Sequence, residues 1–263
     1  MLSSNDKLKN FPVVNWISLK DSTERQNFMN EQLKNFNLDS RMIEAYDGRL
    51  VDYTNNPMVK GVYFDQINSG MTAISLSHLK MIKNWYDTSN ENYGFFCEDD
   101  VTFETINYWN FTWDDIMNNL PKNWQAVQLS LIKGGVVSDT DMKFVIRSII
   151  NWSATAYIMT KEYAKKILSK YICDDLTYKL EVIYNGINYL PFSENVLFGH
   201  INSSIYTLPL FVANTMKFAR TLFPMFYEEE NLAVHIHSSN YVLNWWKNNA
   251  NNEKQLDILF KNY

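Results

Sequence analysis

The chain predicts an α/β fold in which helices cover both sides of a mostly parallel sheet. Two observations carry that prediction. Short runs of aromatic and branched apolar residues, suited to strands buried on both faces, alternate with longer stretches whose apolar residues recur at helical spacing. The 263 residues are 46% hydrophobic and 15% aromatic, with neither an internal repeat nor a linker, so one large core is within reach.

Phe11 to Leu19 reads as the first strand. Asp21, Ser22, Thr23 and Glu24 then supply cap-type residues for a helix through about Phe36. The helix start offers free amides and partial positive charge beside Lys20 and Arg25, which suits a phosphate, while an ordinary strand-to-helix crossover accounts for the same residues. Arg41 to Tyr46 is a second strand, closed by the turn Asp47, Gly48, Arg49. From Gly70 to Trp85 the residues Met71, Ile74, Leu76, Leu79, Ile82 and Trp85 keep helical spacing and leave Ser77 and His78 near the packed face. Tyr93 to Cys97 is a buried strand, Trp109 to Asn119 a helix, and Trp124 to Leu131 a strand before the turn Gly134, Gly135. Ser153 to Met159 is again a strand and Lys161 to Lys170 a helix with its charges toward water; the C-terminal third is less regular.

Composition excludes several classes. A net charge of -5 gives no basic surface for neutralising a phosphate ladder, so no nucleic-acid partner is expected. Cys97 and Cys173 are too few for a disulfide framework, no run of some 18 apolar residues marks a membrane span, and the opening residues lack the apolar core of a secretory signal. These readings predict a cytoplasmic protein.

The most informative segment is Glu98, Asp99, Asp100, where an apolar strand stops at three carboxylates with no Lys or Arg until Lys122. Such acids repel one another unless a cation sits among them or the turn is solvated. Strand alternation sends Glu98 and Asp100 to one side and Asp99 to the other, a D-x-D-like arrangement for a divalent cation carrying a diphosphate. Three further constellations lie downstream. Glu194 stands between apolar runs, Lys217 and Arg220 form a one-turn basic pair if helical, and His235 and His237 share a face if extended, able to complete a metal shell or to sit at the surface.

Taken together, these blocks resemble the family 25 glycosyltransferases, which include bacterial lipooligosaccharide sugar transferases, collagen β-galactosyltransferases and enzymes of large DNA viruses. Ile17 to Arg25 is similar to the family's I-N-L-x-R-x-x-x-R opening, with Ser18 in place of Asn, and Ala45 to Arg49 to its A-x-D-G turn. Gly70 to Leu79 resembles G-x-x-G-C-x-L-S-H, with Ala73 and Ser75 departing from it, and Phe96 to Val101 matches L-E-D-D-V. Downstream, Trp152 to Tyr157 and Pro191 to Phe198 resemble later family segments, with Ser193 and Glu194 where a single Asp is usual.

The resemblance implies a GT-A type, Rossmann-like fold in a single domain of residues 1–263. Residues from about 11 to 130 would form the nucleotide-sugar half, and those from about 131 to 263 an irregular acceptor half. It also implies a metal-dependent, inverting transfer of galactose or glucose from a UDP-sugar to a hydroxyl of a glycan or of hydroxylysine in a collagen-like protein. The expected cation is Mn²⁺ or Mg²⁺, held by Glu98, Asp100 and His235 or His237. Donor contacts are expected from Ser18, Leu19, Arg25, Asp47, Ser77, His78, Glu98, Asp99, Trp152, Lys217 and Arg220. The base is sought among Glu194, Asp174 and Asp175, Glu194 first because its apolar flanks favour a proton-accepting carboxylate. A homodimer is compatible with this reading. The competing classes are a metal-dependent phosphohydrolase or nuclease, which would show paired ligand sets and a basic track, and a catalytically silent sugar-nucleotide-binding relative.

Overall fold

A computed structural model describes residues 2–60, 68–173, 177–184, 186–199, 204–214 and 229–261. Its centre is a seven-stranded sheet of β1 (Val14–Ser18), β2 (Ser40–Glu44), β3 (Tyr93–Glu98), β4 (Ala126–Gln128), β5 (Val145–Ile146), β6 (Ala156–Thr160) and β7 (Ile205–Thr207). The strand order is β2-β1-β3-β6-β4-β7-β5, with β1 parallel to β2 and β3, β7 parallel to β4, and β6 and β5 antiparallel to their neighbours. Five strands therefore point one way and two against them, the mostly parallel α/β sheet that the apolar runs predict. Strands from both halves of the chain share it, since β6 inserts between β3 and β4.

Alternation along these strands divides the core between the two faces. Trp16, Phe95, Val127 and Ile158 pack on one side with Met29 and Leu33 of α1 (Thr23–Asn35), Trp113 and Ile116 of α3 (Trp113–Asn119) and Val242 and Trp246 of α6 (Glu229–Asn249). Ile17, Phe96, Ala126 and Tyr157 face the other side, against Leu76, Leu79 and Ile82 of α2 (Ser69–Thr88), Tyr163 and Ile167 of α4 (Lys161–Tyr171) and Val196 of α5 (Ser193–Phe198). Each large side chain fully buried in this way contributes about 1.5–3 kcal/mol of transfer free energy.

Some boundaries move for identifiable reasons. The helix expected from Trp109 begins at Trp113, because Thr112 and Asp115 form a reciprocal capping box, and a 3₁₀ turn at Glu104–Tyr108 precedes it. The C-terminal third, read as less regular, includes the 21-residue α6. Its buried Ser238, Val242, Trp245 and Trp246 keep helical spacing, so the expected extended segment at His235 to His237 is helical instead. Among the described residues no helix is long and apolar enough to cross a membrane.

Two consequences place the site. β1 has β2 on one side and β3 on the other, so the strand order reverses between β1 and β3, and their carboxyl ends form the crevice where open α/β sheets hold ligands. Because β6 runs antiparallel to β3, with the Glu98 amide donating to the Thr155 carbonyl at 2.9 Å, the lead-in to β6 meets that same edge. The turn after β2 is pinned nearby. The Tyr46 amide donates to Ser77 Oγ at 2.8 Å, and a Cβ on Gly48 would lie 2.6 Å from Cα of Gly70. Gly48→Ala must push that turn off the start of α2 and is expected to cost about 1–3 kcal/mol in urea denaturation, an effect a freely relaxing loop would not show.

Candidate active site

The acids at the end of β3 meet a cation from far upstream. Ser18 at the end of β1 donates from Oγ to Asp99 Oδ2 at 2.6 Å. Arg25, in the first turn of α1, reaches back over the strand ends so that Nη2 lies 2.6 Å from Asp99 Oδ1 and 3.3 Å from Asp100 Oδ2. The three side chains are only 13%, 6% and 5% exposed, respectively. This corrects the alternation expected for the acids. β3 ends at Glu98 and the chain turns at Asp99 and Asp100, so these two converge on one guanidinium while Glu98 goes elsewhere.

Glu98 turns to α2. Its Oε1 is 3.1 Å from Nε2 of the fully buried His78, whose Nδ1 is 3.1 Å from the hydroxyl of Tyr157 on β6. Burial pushes the Glu98 carboxyl up, but the hydrogen bond that His78 donates to it, with Arg25 and His235 nearby, outweighs burial and leaves it below its usual value. For Asp99 burial wins over Arg25 and Ser18, and the carboxyl titrates above its usual value. Asp100 is pushed up to about 7, by burial first, with Arg25 opposing and Glu98 and Asp99 adding repulsion.

A second polar group gathers at the lead-in to β6. Glu194, in the first turn of α5, accepts the Ser153 amide proton on Oε1 at 2.9 Å and the Ser193 hydroxyl on Oε2 at 3.2 Å. Ser153 holds φ at 98°, a costly conformation for a residue with a Cβ, and Gln128 secures it by donating to the carbonyls of Trp152 and Ser153 at 2.6 and 2.8 Å. Trp152 remains 44% exposed and its ring lies over Gly134, where a Cβ would sit 3.2 Å from it. Beneath, buried Arg147 donates to Gln128 Oε1 and the Asn151 carbonyl; burial lowers its pKa to about 10 while Glu194 and Tyr163 pull it back up.

His235 connects the two groups electrostatically. Burial lowers its pKa, and both Glu194 and Glu98 act to raise it, so it lies within reach of each. His237 is about 200° further round α6 and exposed, which overturns the shared face expected of the two histidines.

The remaining candidates separate into bracing and surface roles. Ser77 donates to the Ala73 carbonyl while accepting the Tyr46 amide, so it braces the turn after β2. The Leu19 carbonyl accepts Gln26 Nε2 at 2.7 Å, and Asp47 is taken up by Arg49, which also reaches Asp21. Asp174, Asp175, Lys217 and Arg220 lie outside the described residues. Tyr157 and Arg147 escaped the sequence reading; the only signal for either was one polar group within an otherwise apolar stretch.

Among the described residues no three His, Cys, Asp or Glu form a group that could hold a metal ion. One atom nevertheless fits a cation: Asp100 Oδ1 is buried and takes no hydrogen bond from any described residue.

An α/β sheet with buried acids at its strand-order switch, and Glu194 bonded to the lead-in of the neighbouring strand, defines a protein of the ligand-in-crevice class. A family model described as Glycosyltransferase family 25 (LPS biosynthesis protein) matches residues 12–179, and the chain belongs to that family of glycosyltransferases. No curated protein matches the chain. A solved structure described as a glycosyltransferase involved in the glycosylation of the major capsid of PBCV-1 is similar over 75% of this chain and 82% of its own, at 9% identity and a TM-score of 0.42. A likeness that distant carries no argument about the site.

Burial of Asp100 gives the site a pH signature. A carboxyl raised in the folded state binds its proton more tightly there than in the unfolded chain, so stability is highest near or below the unfolded value of 3.8 and falls as pH rises toward about 7. Asp99 acts in the same direction, whereas Glu98, lowered from 4.5, loses its contribution only at pH below that value. In chelator, the unfolding free energy should drop between pH 5 and 7.5 by on the order of 1–3 kcal/mol, and Asp100→Asn should flatten that slope. An equal slope in the variant would remove the assignment.

Proposed function

We propose that the chain transfers galactose or glucose from a UDP-sugar to a hydroxyl of a glycan, or of hydroxylysine in a collagen-like protein, with inversion at the anomeric carbon. The observation that carries this reading is the presence of two polar groups at one sheet edge, Arg25 with Asp99 and Asp100 at the end of β3 and Glu194 at the lead-in to β6, with His235 in electrostatic reach of Glu194 and of Glu98. Departure of a nucleoside diphosphate leaves negative charge that must be offset at the donor side, and inversion needs a base on the opposite side of the anomeric carbon.

In this reading Arg25 and the α1 N-terminus face the diphosphate, with Asp99, itself held by the Ser18 hydroxyl, keeping the guanidinium in place. Lys217 and Arg220 are further proposed diphosphate contacts. Glu194 takes the acceptor hydroxyl proton, its carboxylate oriented by the Ser153 amide and Ser193 hydroxyl; Asp174 and Asp175 are the alternatives. Trp152 presents its open ring to the C-H face of a sugar. Asp100, through its open Oδ1, would contribute a ligand to Mn²⁺ or Mg²⁺, although the described residues bring no second and third ligand to it. When bound, that ion supplies Lewis-acid stabilisation of the leaving diphosphate.

The direct test is UDP release from a panel of UDP-sugars with Mn²⁺, with and without candidate acceptors. Asp100→Ala should lower turnover at least about 10²-fold while the protein stays folded, and near-normal turnover would exclude the metal role. Glu194→Gln should lose transfer by a similar factor with donor binding intact; failure to bind donor would assign it elsewhere. The 2.6 Å pairing of Arg25 favours one second reading, in which the guanidinium alone supplies the positive charge. It predicts turnover unchanged by exhaustive chelation.

A further inference from the structure

The contact between Tyr157 and His78 has no part in the transfer step outlined above, yet it is completely buried and ends on Glu98. We propose that Tyr157 is a positioning residue that determines which nitrogen of His78 carries the proton, and thereby holds Glu98 with one oxygen bound and its charge toward the cleft. The role in donor binding rests on the transferase reading; the proton placement does not.

The argument is an accounting of donors and acceptors. Tyr157 and His78 are both fully buried. Among the described residues the Tyr157 hydroxyl has one partner, His78 Nδ1 at 3.1 Å. A buried O–H without an acceptor is costly, and if Nδ1 carried a proton the phenol would face another donor and have nowhere to place its own. The phenol therefore donates to Nδ1. The ring proton is left on Nε2, 3.1 Å from Glu98 Oε1, which is an acceptor when ionised. Burial raises the Tyr157 hydroxyl well above its usual value, so it keeps the proton it donates.

The placement is rigid at each point. The Tyr157 ring stacks on Phe96 at 5.3 Å and meets Phe198 edge-on at 5.6 Å, so the hydroxyl cannot swing away from His78. Tyr157 pairs with Phe96 across the β6–β3 ladder, two residues before Glu98 on the same strand. The Glu98 side chain stays 24% exposed, so the carboxylate is clamped from inside while part of it reaches the cleft. A hydroxyl on one strand thus orients an acid on its neighbour through a histidine on the covering helix.

Because phenylalanine retains both ring contacts, Tyr157→Phe is the informative variant. Long-range ¹H–¹⁵N spectra of ¹⁵N-histidine-labelled, metal-free protein should show His78 protonated at Nε2 and bare at Nδ1. In Tyr157→Phe that fixed pattern should give way to a mixture, with little change in melting temperature. The variant should also raise KM for UDP-galactose or UDP-glucose about tenfold with a smaller change in kcat. A wild-type ring protonated at Nδ1, or at both nitrogens, overturns the proposal even if the variant fails to fold, and so does a variant whose His78 pattern is unchanged. Protein that turns over no UDP-sugar but shows the Nε2–H form and loses it in Tyr157→Phe would keep the proton placement and remove the donor reading.

Discussion

Burying Asp99 and Asp100 side by side, next to a half-buried Glu98, rests here on Arg25, which comes back across the end of β1 to meet both of them. Removing such acids from water costs several kcal/mol each, and a lone guanidinium offsets part of that when its geometry is close. The remainder shows in the carboxyls themselves: Asp99 and Asp100 hold protons more tightly than free acids do, whereas Glu98, served by His78, does not. The crossover between β1 and α1 therefore serves a purpose beyond connecting two elements. It determines how much negative charge the crevice carries.

The same edge of the sheet collects everything else because of one reversed strand. Were β6 parallel to β3, its lead-in would sit at the opposite end of the sheet, and Ser153 and Trp152 with it. Running antiparallel, it brings a strained serine and an open indole to the acids, and Gln128 with buried Arg147 secures that strained segment from beneath. Strain of this kind is kept where surrounding contacts over-determine it, and here those contacts include the proposed base, Glu194.

Much of the architecture was legible in residue pattern. The apolar run Tyr93 to Cys97 ended one residue before the strand does at Glu98, and the 3.6-residue repeat from Gly70 to Trp85 marked α2 within three residues at either end. Local rules failed where they were carried past the element they describe. Strand alternation was applied to Asp99 and Asp100, which belong to a turn, and period two was applied to His235 and His237, which lie on a helix set by Ser238, Val242 and Trp246. Arg147 and Tyr157 gave no signal beyond a polar group in apolar company, because burial of such a group is decided by partners distant in the chain.

By itself the sequence determined the alternation of strands and helices, the acidic tip of β3 and the family to which residues 12–179 belong. These depend on composition and on spacing within short segments, and both can be read along a line. Only the tertiary structure decided which charges meet: Arg25 with Asp99 and Asp100, His78 with Glu98, Ser153 with Glu194. Hydrogen bonds and ion pairs act over about 3 Å, so they are set by which strands the sheet makes neighbours, and nothing along the chain states that order.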